Sequence, residues 1–298
     1  MSKISVVGSI NMDLVAVSDV MPQKGRTVVG RDFRIIPGGK GANQAVAIAK
    51  LGGNVDLFGC VGNDGFGEMA RANLREGGVF LNHVKPISNV PTGVALIHVA
   101  ENDNAITVVA GANSCVDVDY IDSVSEEILK SDIVLLQHEI PFAAVEHVIR
   151  LCWEANVPVV LNPAPAMPVS DALIGMVRYI IPNEHEIGTV MRSDKSYDKL
   201  LARYPNKLIM TWGEKGVVYH NGILEVHVPA IHAEVKDTTG AGDTFCGAFV
   251  KAICDGADMK EAIVFGQYAG GLSVEKFGAQ AGMPTTDAIK KRMEMEKR

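Results

Sequence analysis

No two of the five cysteines (Cys60, Cys115, Cys152, Cys246 and Cys254) form a CxxC pair. That argues against a zinc ribbon or a thioredoxin-like motif, and reduced buried thiols in a cytoplasmic protein are the expectation. Aromatic residues are scarce: two Trp and six Tyr leave few platforms on which a base could stack. Positive charge is also short. Against 28 Lys and Arg stand 35 Asp and Glu, a net charge of −7, the wrong sign for a general nucleic-acid binder. A small anion in a local pocket is not excluded by that balance. No apolar run approaches the roughly 18 residues of a membrane span. Met1-Ser2-Lys3-Ile4 runs straight into a strand-like segment, so no secretory leader is expected. The GxxxxGK[ST] loop of P-loop kinases is missing, as is a GxGxxG after the first strand. HExxH and GxSxG are missing too, which disfavours a zincin or an α/β-hydrolase.

What is present is an apolar chain of 298 residues, 47% hydrophobic, long enough for a sizeable core. Glycine is plentiful, with 30 residues and no collagen-like period, so glycines belong at turns and ligand loops. Ile4 to Ile10 reads as a buried strand. Residues 26–36 and 93–109 are rich in Val, Ile and Thr without a helical period and read as antiparallel strands with one solvated face. Between them lie a helix from Gly39 to Leu51, a strand from Val55 to Val61 and a helix over 66–76. From residue 117 helices alternate with strands at 133–137, 157–161, 179–181 and 207–211. The end is helical, over 241–255, 258–276 and 285–296. Such alternation predicts an α/β fold with a mostly parallel sheet covered by helices on both faces. One domain over 1–298 is expected, with a small β excursion from about 13–35 and 92–109. In open α/β sheets ligands bind beyond the carboxyl ends of the strands, so the strand-to-helix loops carry most weight.

The strongest motif is Asp237-Thr238-Thr239-Gly240-Ala241-Gly242-Asp243. Small residues open an apolar helix whose free N–H groups and dipole suit an anion. Asp243 in that first turn either complements the macrodipole or takes a proton from a hydroxyl attacking phosphorus. A second segment, Pro37-Gly38-Gly39-Lys40-Gly41-Ala42-Asn43-Gln44, is either a tight helix start or a loop that binds a polyol. Asn11 and Asp13 follow the first strand, as turn formers or as partners for sugar hydroxyls. Asn183 and Glu186 have the spacing of a capping box, and could equally reach phosphates through magnesium. Glu139 follows a strand, as a loop carboxylate or a group that orients a sugar.

Together these segments resemble the ribokinase branch of the PfkB carbohydrate kinase family. Gly38 to Asn43 is similar to its first signature, and Asp237 to Asp243, continuing to Gly247-Ala248-Phe249, to its second. Asn162-Pro163-Ala164-Pro165-Ala166, Pro182-Asn183-Glu184 and Thr211-Trp212-Gly213-Glu214-Lys215-Gly216 match in order. The resemblance implies a helix-covered sheet with a β lid that commonly mediates dimerisation. It also implies transfer of the ATP γ-phosphoryl group to the O5 hydroxyl of ribose. Asp243 would be the general base and the N–H groups of Gly240, Ala241 and Gly242 the anion hole. Asn11, Asp13, Gly39, Lys40, Asn43 and Glu139 would contact sugar. Asn183, Thr211, Gly213, Gly216, Gly242 and Gln267 would contact nucleotide, and Glu186 would join the Mg2+ network. Asp237, Thr239, Ser273, Lys276 and Gly278 would hold a monovalent cation, usually K+. Three departures stand out: Gly282 replaces a usual serine, Gly240 a frequent alanine, and the stretch from Asn183 to Thr211 is short. Deoxyribose, another sugar, a nucleoside, or a non-catalytic role as a sugar sensor are the competing expectations.

Overall fold

Strands with apolar residues at every position must bury both faces, and β8 (below) is of this kind. The computed structural model describes residues 2–101 and 103–296. In chain order the first half comprises β1 (Lys3–Val7), β2 (Asn11–Ser18), β3 (Gly30–Gly38), α1 (Lys40–Lys50), β4 (Asn54–Gly62), α2 (Gly65–Glu76), β5 (Phe80–Ile87), β6 (Gly93–Ala100), β7 (Asp103–Val109) and α3 (Val118–Ile128). Then come β8 (Ile133–Leu136), α4 (Phe142–Glu154), β9 (Val159–Leu161), α5 (Asp171–Met176), β10 (Tyr179–Ile180), α6 (Ile187–Val190), α7 (Tyr197–Arg203) and β11 (Ile209–Thr211). The order closes with β12 (Val217–His220), β13 (Glu225–Val228), α8 (Ala241–Cys254), α9 (Met259–Ser273) and α10 (Thr286–Glu296).

Six strands form the central sheet in the order β10-β9-β8-β1-β4-β5, every pair parallel. Parallel bridges at Ile180–Leu208 and Asn183–Thr211 carry it on to β11, which pairs antiparallel with β12, and β12 with β13. The period of two along each strand sorts side chains onto two cores. Ile133 and Leu135 of β8 pack with Val46 of α1 and Phe249 of α8. Val134 and Leu136 pack on the other face with Ile121 of α3 and Val148 of α4. The expected helix-covered, mostly parallel sheet is what the chain forms.

A second sheet of four strands, β3-β2-β6-β7, stands apart from the first. Here the sequence expectation needs correction in one respect. β2–β3 and β6–β7 are antiparallel hairpin pairs, but the central pair β2–β6 is parallel. The reason is topological: β2 and β6 both leave the same end of the central sheet, one after β1 and one after β5. The boundaries also move, to 11–18, 30–38, 93–100 and 103–109.

Two kinds of helix start bear on the site. α2, α3 and α9 are capped by their own aspartates, Asp64, Asp117 and Asp258, and α9 carries a full capping box with Glu261. α1 and α8 begin instead at Gly39 and Gly240, with φ of 89° and 76° and no side-chain cap. A helix start without its own cap leaves N–H groups for other partners.

Candidate active site

The two helices that begin at a glycine of positive φ meet. Asp243, in the first turn of α8, is 7% exposed and its carboxylate is held from α1. Asn43 Nδ2 donates to Oδ2 and Gln44 Nε2 to Oδ1, each at 2.9 Å. Asp243 shares a cleft of about 210 Å³ with Lys40, Asn183, Glu186, Thr211, Gly240 and Gly242. Six residues singled out as candidates in distant stretches of sequence thus converge on the carboxylate.

At the start of α8 the Ala241 N–H donates to the Thr238 carbonyl at 3.2 Å. Among the described residues the N–H groups of Gly240 and Gly242 have no acceptor. The two glycines serve different ends. A Cβ on Gly240 would lie 2.8 Å from that of Ala279, whereas a Cβ on Gly242 would meet nothing within 4 Å. Gly240 is required by the fold. Gly242 leaves open space above a helix N-terminus, the arrangement that admits a phosphate.

The start of α1 is closed by a distant carboxylate. Glu139, after β8, accepts from the Lys40 N–H at 2.9 Å and from Ser9 Oγ at 2.5 Å. Burial works against the Lys40 ammonium, but Asp243, Glu139 and Glu186 outweigh it and raise its pKa. Asp13 is pushed up to about 6 by burial first, then by the charges of Glu139 and Asp243. It has room only because residue 38 is glycine, since a Cβ there would stand 2.5 Å from both of its carboxylate oxygens. Asn11 is oriented by Asn113, a residue that the sequence did not single out. The Ile10 N–H can only donate, and it donates to Asn113 Oδ1 at 2.8 Å. Asn113 Nδ2 therefore faces Asn11 Oδ1 at 2.7 Å, and Asn11 is left with its own N–H₂ to offer a ligand.

Asp13 also lines a cavity of about 950 Å³ between the second sheet and the body, roofed by Val15, Val17, Ile36, Ile97 and Val99. Asp237, Thr239 and Gly278 line it from the opposite side. Asp237 accepts from Thr239 N and Oγ1 and from the Gly278 N–H, at 2.9, 2.6 and 2.8 Å. Burial pushes its pKa up, yet these bonds prevail and hold it below the usual carboxylate range. Ser273 is buried and Lys276 exposed. The glycine at 282 has a packing reason: a Cβ there would stand 2.0 Å from the Ser273 carbonyl oxygen.

On the remaining flank Asn183 and Glu186 form the reciprocal bonds of a capping box. Glu186 Oε2 accepts from the Asn183 N–H, and Asn183 Oδ1 from the Glu186 N–H, each at 2.9 Å. Burial raises the pKa of Glu186, opposed by that N–H and by Lys40. Gly213 and Gly216 flank the turn after β11 with φ of 49° and 101°. A Cβ on Gly216 would lie 2.1 Å from the Val228 carbonyl oxygen. Gln267 lies outside the cleft, in a separate cavity of about 820 Å³ with Val228, Ile231, Val264 and Tyr268, and its Nε2 is buried without a partner.

Asn43, expected at a polyol, has both amide atoms engaged in the protein, since Oδ1 accepts from Gln280 Nε2 at 2.9 Å. Gln137 and Gln280 escaped the sequence reading, and Gln44 and Asn162 were noted without a role. The available signal was an amide inside stretches otherwise filled by small and apolar residues. Among the described residues no cluster of His, Cys, Asp and Glu offers a ready metal site, and no helix is long and apolar enough to cross a membrane.

Residues 1–286 match the pfkB family carbohydrate kinase pattern. The ribokinase of Bacillus subtilis is 44% identical over 97% of this chain and 98% of its own length. The solved ribokinase of Thermotoga maritima superposes with a TM-score of 0.90 at 33% identity, covering 99% of this chain and 100% of that one. Arabidopsis thaliana ribokinase, solved with ribose and ATP, gives a TM-score of 0.90 at 30% identity over 97% and 98% of the two chains.

Proposed function

The chain belongs to the pfkB family of carbohydrate kinases, and on that premise we propose that it transfers the γ-phosphoryl group of ATP to the O5 hydroxyl of D-ribose, giving ribose 5-phosphate and ADP. The carrying observation is Asp243, a buried carboxylate in the first turn of α8, beside the unpartnered N–H groups of Gly240 and Gly242. The ribokinases matched over almost their full length support ribose as acceptor.

Asp243 takes the O5 proton as that oxygen attacks phosphorus. Each of its oxygens accepts one amide bond, so lone pairs remain for the incoming proton. The N–H groups of Gly240, Ala241 and Gly242 meet the charge that builds on the transferring group; Ala241 would exchange its long bond to Thr238 for it. Asn11, Asp13, Gly39, Lys40, Asn43 and Glu139 hold the sugar: Asn11 donates, Asp13 accepts from hydroxyls, and Lys40 adds positive charge beside the reacting oxygens. Asn43 reaches the sugar by giving up one of its present partners. Asn183, Thr211, Gly213, Gly216 and Gln267 hold the nucleotide.

The acid–amide pair at Glu186 and Asn183 fits Mg2+ with waters between, because a half-buried carboxylate with a raised pKa is relieved by a cation. Bound there, Mg2+ neutralises phosphate charge. Asp237, kept ionised, with the backbone around Thr239, Ser273, Lys276 and Gly278, offers the low-charge oxygen set of a monovalent cation such as K+. Gly282 supplies no hydroxyl, and its packing leaves no room for one, so the K+ set there is built from Asp237 and backbone oxygens. The whole of 1–298 acts as one unit, and the second sheet is its lid, excluding water that would compete for the phosphoryl group. Across β2, β3 and β6, Leu14 pairs with Ile35 and Leu96, and Ala16 with Phe33, on the face turned from the cavity. Phe33 and Leu96 are 60% and 47% exposed, which supports a homodimer formed through the lid.

The test is ADP release with ATP and Mg2+ over ribose, deoxyribose, other pentoses, hexoses and nucleosides, with and without K+. Ribose is expected to give the highest kcat/KM, and preference for another acceptor would overturn the assignment. Asp243→Asn is expected to lower kcat about a thousandfold with ATP binding intact.

A further inference from the structure

We propose that Asn162 and Gln44 are positioning residues for Asp243: they form an amide relay, anchored on a backbone carbonyl, that keeps an N–H of Gln44 aimed at Oδ1. The proposal rests on Asp243 being the base. Asn162 directly follows β9, and its Nδ2 donates to the Ile181 carbonyl oxygen at 2.9 Å. That oxygen can only accept, so the Asn162 amide has one permitted orientation, and its Oδ1 must face Gln44. Gln44 Nε2 donates to this Oδ1 at 3.0 Å and to Asp243 Oδ1 at 2.9 Å. Gln44 Oε1 is accounted for separately, accepting from Gln137 Nε2 at 2.6 Å. The direction of the chain is thus set at Ile181, whether or not Asp243 carries its proton.

Two observations set this relay apart from ordinary core packing. Gln44 and Gln137 are fully buried, where an apolar pair would avoid burying amides altogether. Moreover, Gln137 Oε1 has no partner. Turning that amide would satisfy nothing, because Gln44 already presents an oxygen to it. An unpaired buried oxygen at the outer end marks a chain whose polarity is dictated elsewhere. The second donor to Asp243 differs: the Asn73–Gln280–Asn43 chain ends on side chains, and only the Asp243 carboxylate orients it.

With the relay cut, only the charge of Asp243 still orients Gln44, so once Asp243 has taken the O5 proton Gln44 is free to turn its oxygen to that proton and trap it. The experiment measures kcat and both KM values for Asn162→Leu, Gln44→Leu and the double variant, with Asp243→Asn as reference and melting curves as a check on folding. Each single variant is expected to lose at least about tenfold in kcat with both KM values within about threefold. The double variant is expected to fall no further than the worse single, because Asn162 acts through Gln44. Unchanged kcat, losses confined to KM, or losses that multiply would overturn the relay. Should a leucine variant not fold, Gln44→Glu keeps the shape while setting a second acceptor against Asp243, and the same kcat loss is required of it. Near-parental turnover in Asp243→Asn removes the base assignment itself; a dead Asp243→Asn beside a fully active Asn162→Leu removes the relay alone.

Discussion

Asp13 shows how a site residue works against the stability of its own fold. Its pKa in the folded chain, about 6, lies above the ordinary 3.8, so the folded state holds this proton more tightly than the unfolded one. Ionising it costs stability. That cost is complete above about pH 6 and vanishes below the unfolded value. Asp13→Asn is therefore expected to raise the melting temperature at pH 7.5, by the equivalent of about 1–2 kcal/mol after allowance for solvent screening, and to leave it unchanged at pH 3. The same variant is expected to raise the KM for ribose at least about tenfold, because a hydroxyl loses its charged acceptor. Parental melting at pH 7.5 would show that the carboxyl is not held against its charge. Residues of this kind were legible in the sequence where chemistry and glycine coincide, as at Gly240 to Asp243 and Gly38 to Asn43. Asn113, Asn162 and Gln280 were not, because an amide shows its direction only through partners 19 to 237 positions away.

At the scale of elements, the aspartate-capped helix starts contrast with the glycine starts of α1 and α8. Asp64, Asp117 and Asp258 close helices that only hold the fold, and such caps can be read from sequence. The open start of α8 can be probed at Gly242, where a Cβ meets nothing. Gly242→Ala is expected to stabilise the protein slightly, by up to about 0.5–1 kcal/mol. It is also expected to lower kcat/KM for ATP at least about tenfold, since the methyl occupies the approach of the phosphate. Thermal melts and steady-state kinetics check the two halves, and a loss of both would mean that the position is structural. The apolar strands β8 and β9 were legible because continuous Val, Ile and Leu leaves few alternatives, and β1 and β4 because their buried positions are mostly apolar. β5, at the sheet edge with the sequence FLNHVKPI, was not, nor were the short β12 and β13. Edge strands need apolar residues on one side only, and their pattern fades into loop. The parallel pairing of β2 with β6 was also hidden, because pairing direction depends on where two distant connections leave the main sheet.

For the molecule as a whole, the second sheet is apolar on both sides, with Val15 and Val99 toward the cavity and Phe33 and Leu96 away from it. Leu96→Lys is expected to turn a dimer into a monomer in sedimentation, while the central sheet keeps its melting transition. A monomeric parent would remove the lid interface. Register joins this sheet to the ligand site: Asn11, the first residue of β2, pairs with Gly38, the last of β3, and with Gly93, the first of β6. On the proposed reading, the root of the lid and one wall of the sugar pocket share Asn11. β2 runs eight residues outward from there, about 26 Å at ~3.3 Å per residue, so a tilt of about 5° at the root carries the far tip roughly 2 Å. On the proposed reading, a pentose seated against Asn11 would act at the short arm of a lever, and the far rim of the sheet, which never touches it, would travel furthest.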